Sequence, residues 1–149
     1  MFDEKDLGLQ IDDPNAVRAE WLDRLHALAS QVKGWVEKLD WRTRLVSKPV
    51  RDGVLGRFEV PLLLMEKVGV QIALNPVSPF ESGSSGCVDL YVVPAYDEVA
   101  GLYYETGVWT LYYVFQEEGP RDHRREAEAL PFSEDSLIRV LDAMVLRGE

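Results

Sequence analysis

Apolar residues recur along this chain at two spacings, and the switches between them divide it into a helix, a run of strands and a second helix. Between Val17 and Leu39 the apolar positions are Val17, Trp21, Leu22, Leu25, Leu28, Ala29, Val32, Trp35, Val36 and Leu39. Steps of three and four predict one long amphipathic helix, with Arg18, Asp23, Gln31, Lys33 and Glu37 on its polar side. Asp13 and Pro14 mark its start. The aspartate can accept from free N–H groups of the first turn, and proline's missing N–H is not needed there. The helix is expected to reach about Asp40, a length of about 40 Å. Gly34 is costly inside a helix, so it is expected where another backbone approaches or the helix bends.

Beyond Trp41 the period falls to two. Strands are predicted over 41–51, 56–66, 68–74, 87–94, 99–105 and 108–115, rich in aromatic and β-branched residues. In the second strand Phe58, Val60, Leu62 and Leu64 are expected to form one apolar face, and in the third Val70, Ile72 and Leu74 are expected inward. Pro49 and Pro61 cannot donate to a ladder, so each marks an edge, a bulge or an unpaired point. Asp52-Gly53, the triplet Tyr96-Asp97-Glu98 and Thr106-Gly107 read as turns, and 75–86 (NPVSPFESGSSG) as a loop. Residues 116–131 are charged and expected to be exposed, with a helical turn over 122–130. The helical period then returns at Leu137, Ile138, Val140, Leu141, Met144 and Val145. Ser133 suits the cap, Glu134 and Asp135 suit the positive end of the helix, and Phe132 can staple onto Leu137.

Strands in one run with short connections pair antiparallel. The expected fold is therefore α+β: an antiparallel meander of about six strands, with a long N-terminal and a short C-terminal helix packed on one face. Residues 1–12 read as a flexible acidic tail, and 13–149 as a single domain.

Composition narrows the classes of function. At 149 residues folding buries roughly 70% of the unfolded chain's surface, enough for a core without disulfides or metals. No apolar run is long enough for a transmembrane helix, and the acidic start MFDEKDLGLQIDD does not resemble a signal peptide. With a single cysteine, Cys87, this leads us to expect a cytoplasmic protein. The net charge of −10 argues against nucleic acid as a partner. It is unevenly spread: residues 42–57 carry +4, from Arg42, Arg44, Lys48, Arg51 and Arg57 against Asp52, and the rest carries −14. Arg42, Arg44 and Lys48 share one strand parity and so one face.

Candidate chemistry is sparse. Asp89, between Val88 and Leu90, could be a metal-binding acid, but no second carboxylate spaced two residues before a lysine accompanies it. Glu66-Lys67 are adjacent, and Glu105 is followed by no lysine. A solvated or paired carboxylate is the simpler reading. His26, His123 and Cys87 are too few and too scattered for structural zinc. Nothing near Cys87 would activate a thiol, and the 82–86 run lacks the lysine and the following helix of a phosphate loop. No cofactor and no metal are therefore expected.

The tyrosines carry the strongest hint. All six (Tyr91, Tyr96, Tyr103, Tyr104, Tyr112 and Tyr113) fall within 87–115. Adjacent pairs place one ring on each face of a sheet, and the helices can cover only one face. The expected binding residues are Tyr91, Tyr103, Tyr104, Trp109, Tyr112 and Tyr113, with Arg42, Arg44 and Lys48 on the basic strand. Cross-strand pairing that stabilises the hairpin is the competing explanation. In architecture and charge the order resembles small acidic adaptor, chaperone and immunity-type proteins of bacteria. That resemblance implies a non-enzymatic protein-binding domain, with a protein partner or a second copy in a homodimer, and no nucleic acid or membrane. Two alternatives stand beside it. One is a metal-dependent or small-molecule enzyme with Asp89, Glu59 and Tyr91 between the sheet and the 75–86 loop. The other is an acidic mimic of nucleic acid, with the −14 gathered on one face.

Overall fold

The computed structural model of the protein describes residues 13–80, 85–94, 97–115 and 127–148. The expected tail over 1–12, Tyr96, His123 and the 122–126 part of the expected helical turn lie outside the described residues. The elements are α1 (Pro14–Glu37), β1 (Arg42–Asp52), β2 (Gly56–Lys67), β3 (Val70–Ser78), β4 (Cys87–Val92), β5 (Asp97–Glu105), β6 (Val108–Tyr113), β7 (Glu128–Pro131) and α2 (Glu134–Gly148). The strands form one antiparallel sheet whose spatial order is their order in the chain.

Capping sets the helix ends. The Asp13 carboxylate accepts from the Asn15 N–H at 3.0 Å, and Pro14 occupies the first turn. α1 stops at Glu37, short of the expected Asp40: Leu39 N–H and Trp41 N–H both donate to the Val36 carbonyl, and Asp40 adopts φ +68°. Gly34 is not a point of close backbone approach. A Cβ built there would have nothing within 4 Å, and α1 runs through it without a break. At the start of α2 the Ser133 hydroxyl accepts from the Ser136 N–H at 3.1 Å. Phe132 sets its ring 5.3 Å from that of Trp35, joining the two helices.

Both helices pack on one face of the sheet. Register places Leu63, Leu74, Leu90 and Ala100 in one row across β2 to β5, and Val88, Leu102, Leu111 and Leu130 in another across β4 to β7. All but Leu130 are buried, and Leu130 packs against them. Over these rows lie Trp21, Leu25, Leu28, Val32 and Val36 of α1 and Leu137, Val140, Leu141 and Met144 of α2. Full burial of each such aliphatic side chain is worth about 1.5–3 kcal/mol. This is the main reason the helices sit where they do.

The β1–β2 hairpin projects beyond the rest of the sheet. β1 pairs with β2 over its whole length, but β2 pairs with β3 only from Leu63 to Lys67. Extending that register would set Pro61 opposite Pro76, and neither can donate a hydrogen bond. The strands part there, so Pro61 is the unpaired point anticipated for it. Past this point the apolar positions that join the core are Val60, with Phe58 and Val50 packed against it. Within the sheet proper Leu63 and Met65 are the buried pair, and Leu62 and Leu64, which share a face as expected, lie on the other side. The run Pro61–Met65 is apolar on both sides, so only the pairing with β3 could decide it.

Three boundaries also differ. β3 starts at Val70, because Val68 and Gly69 form the turn with positive φ, and it continues through Asn75–Ser78, read above as loop. β5 starts at Asp97, inside the expected turn. A seventh strand replaces the end of the expected helical turn, since Leu130 completes the apolar row beside Leu111 on the open edge of β6. No described helix is long and apolar enough to cross a membrane.

Candidate functional site

Alternation along the strands sends to the uncovered face the side chains that the helices do not touch. Register defines its rows. Arg44, Leu64, Ala73 and Tyr91 align across β1 to β4, and Asn75, Asp89, Gly101, Tyr112 and Ala129 across β3 to β7. Cys87, Tyr103, Thr110 and Pro131 form a third row. Arg42, opposite Glu66, shares the parity of Arg44; Lys48 shares it too, but it lies past the parting, opposite the buried Val60, and reaches this face through its ammonium group at Asn75.

Hydrogen bonds and ring contacts hold the tyrosines of this face. Tyr103 and Tyr112 meet edge to face at 5.4 Å and 84°. The Tyr103 ring lies over Gly101: a Cβ built on that glycine would come within 2.9 Å of it. The Tyr112 hydroxyl donates to the Glu105 carboxylate at 2.8 Å. That bond stabilises the neutral phenol and pushes Tyr112 above its ordinary pKa; loss of hydration and the nearby negative charge of Glu105 act the same way. Asn75 Nδ2 on β3 donates to the hydroxyl of Tyr91 on β4 at 3.2 Å, while its Oδ1 accepts from Lys48 Nζ at 2.7 Å. Lys48 thus ties the projecting hairpin back to the sheet beside the point where the strands part. The three rings are half-buried, and the exposed valines Val99 and Val108 flank them on β5 and β6.

Of the residues expected to bind, the structure therefore brings Tyr91, Tyr103, Tyr112, Arg42, Arg44 and Lys48 to the uncovered face. It places Tyr104, Tyr113 and Trp109 on the helix side. Tyr104 meets Trp109 edge to face at 5.2 Å and stacks under the Arg24 guanidinium, 3.9 Å from its ring centre. Tyr113 is buried and packs on Phe115, over which Arg139 lies at 4.2 Å. The reason is parity: Trp109 and Tyr113 share theirs with Leu111, and Tyr104 with Leu102.

Asn75 and Glu105 are members of the site that the sequence reading did not single out. The polar or small residues Gln71, Ala73 and Asn75 alternate with the inward Ile72 and Leu74, and that pattern could have revealed Asn75. Nothing comparable marks Glu105. The residues proposed for an enzyme site are spread out. Asp89 is mid-sheet between Asn75 and Gly101, whereas Glu59 faces Pro49 on the hairpin. Among the described residues no three His, Cys, Asp or Glu side chains gather as metal ligands. Cys87 is buried and His26 is exposed on α1. Compared with known proteins, the chain matches no family, no curated sequence and no solved structure, and the site is read from its own residues.

Proposed function

We infer that this protein is a non-enzymatic, cytoplasmic protein-binding domain of adaptor, chaperone or immunity type, and that the uncovered face of its sheet receives the partner. The observation that carries this reading is the tethered set of rings on that face. Tyr112 is held by Glu105, Tyr91 by Asn75, and Tyr103 is set against Tyr112. A ring already fixed in place loses little further freedom when a partner covers it, and tyrosine offers both apolar area and a polar tip. The cations on β1 border the same face and add a polar rim.

The test is capture from the native host by the full chain, side by side with the double variant Tyr103→Ala/Tyr112→Ala, with bound proteins identified by mass spectrometry. If the rings are central contacts, the variant retains the same partner at least about tenfold less well, as for interface hot spots. Circular dichroism shows whether the variant keeps the fold. Equal retention by a folded variant would refute the reading.

A further inference from the structure

We propose that β1 is a docking strand whose ligand is an extended, acidic segment of a partner protein, added to the sheet as one more strand. This rests on the reading of the uncovered face given above and names the kind of segment that meets its edge.

The sheet has two edges. β7 offers four residues, whereas β1 offers 11, none of them buried. At about 3.3 Å per residue that is roughly 36 Å of edge. Only one side of β1 is satisfied by β2; among the described residues no element pairs with the other side, so a row of N–H and C=O groups is turned outward. Leu45 stays 50% exposed on this strand. Over β1 to β3 lies a concavity of about 390 Å³ whose wall holds Arg42 and Arg44 with Leu64, Gln71 and one acid, Glu66, so the two guanidinium groups outweigh the single carboxylate there.

Charge selects the occupant. Charged residues and a proline on an edge strand ordinarily guard against unwanted pairing, and Arg42, Arg44, Lys48 and Pro49 fit that role against a second copy. Two β1 strands paired about a two-fold axis would set the three cations of each chain on one continuous face. An acidic segment meets the reverse situation. Its alternate side chains would lie opposite Arg42, Arg44, Val46 and Lys48, so that carboxylates face the cations and an apolar residue faces Val46. The −14 carried by the rest of the chain repels such a segment everywhere else, which confines it to this strand.

The test is fluorescence anisotropy with the full-length chain and three labelled peptides. The first alternates glutamate with threonine, the second alternates lysine with threonine, and the third is the glutamate peptide N-methylated at every amide, so that neither of its edges can donate. The proposal expects the glutamate peptide to bind at least about tenfold tighter than the lysine peptide and to weaken as salt rises. N-methylation on both edges removes the binding, because the ladder is lost. Arg44→Glu/Lys48→Glu reverses the preference between the two charged peptides. Equal binding of both, indifference to N-methylation, displacement by single-stranded DNA, or a salt-resistant dimer in light scattering that blocks the peptide would overturn it. The two readings fail separately. A partner captured through Tyr103 and Tyr112, with no peptide bound, removes the docking strand alone; peptide binding without a captured partner removes the tyrosine face alone.

Discussion

Replacing Gly86 with alanine places a methyl group against α1, just ahead of β4. A Cβ there falls on the ring of Trp21, landing on Cζ3 with Cη2 at 3.0 Å and Cε3 at 3.3 Å. Neither wall is free to retreat. Trp21 is 2% exposed within the core. The backbone around Gly86 is clamped to β5, with Ser85 N–H donating to the Tyr104 carbonyl at 2.8 Å and Tyr104 N–H to the Gly86 carbonyl at 2.9 Å. Arg24 of α1 also donates to the Ser85 carbonyl at 2.9 Å. Overpacking of a well-filled site costs about 1–3 kcal/mol. The backbone at φ +156° is one that alanine rarely adopts, which brings the expected loss to about 2–4 kcal/mol. For a chain of this length that lowers the thermal midpoint by roughly 5–15 °C. The measurement is thermal unfolding by circular dichroism, with Gly34→Ala as the opposite case. Gly34 sits on an exposed stretch of α1 with open space around it, so alanine there is expected to stabilise by about 0.5–1 kcal/mol. A Gly86→Ala protein melting within about 1 °C of the parent would refute the argument that Trp21 locks this junction.

Tyr112 is expected to ionise above the ordinary phenol value of 10.0. Because its folded pKa is raised, its contribution to stability is complete below the unfolded value and is lost as pH rises through the folded one. Glu105→Gln should move the ionisation back towards the ordinary value, read from phenolate absorbance in an alkaline titration. Glu37 behaves in the opposite sense: hydrogen bonds from Thr43 and Lys33 hold its carboxyl below the ordinary 4.5. Its contribution is therefore present above that value and lost as pH falls through the depressed one, and Thr43→Val should raise its pKa in an NMR titration. Leu141→Ala, at a fully buried position of α2, is expected to cost about 2–5 kcal/mol in urea unfolding. Leu146→Ala, on the same helix but 76% exposed, should stay within about 0.5 kcal/mol of the parent.

Much of the architecture was legible because it is written in local chemistry. The three- and four-residue spacing of Trp21, Leu25, Leu28, Val32 and Val36 can be buried only by a helix. Asp13 and Ser133 announce the starts of α1 and α2, because backbone N–H groups there need an acceptor within a few residues. The meander follows from short connections between consecutive strands, and the split of Tyr103 from Tyr104 and of Tyr112 from Tyr113 follows from the pleat alone. Other features had no local signature. Pro61–Met65 is apolar at every position, so its inward side was settled by pairing with β3. Pro61 and Pro76 are distant in sequence, and only the fold sets them opposite each other and lets the β1–β2 hairpin swing clear. β7 exists because Leu130 fits a row that β4, β5 and β6 have already built. Which face α1 and α2 would cover, and hence that Trp109 would be hidden and Tyr91, Tyr103 and Tyr112 left on the far side, depended on where the larger apolar surface accumulated once all seven strands were aligned. Spacing within an element is a property of neighbours along the chain; the choice of face is a property of the assembled sheet, and it settled which tyrosines stay on the side away from the helices.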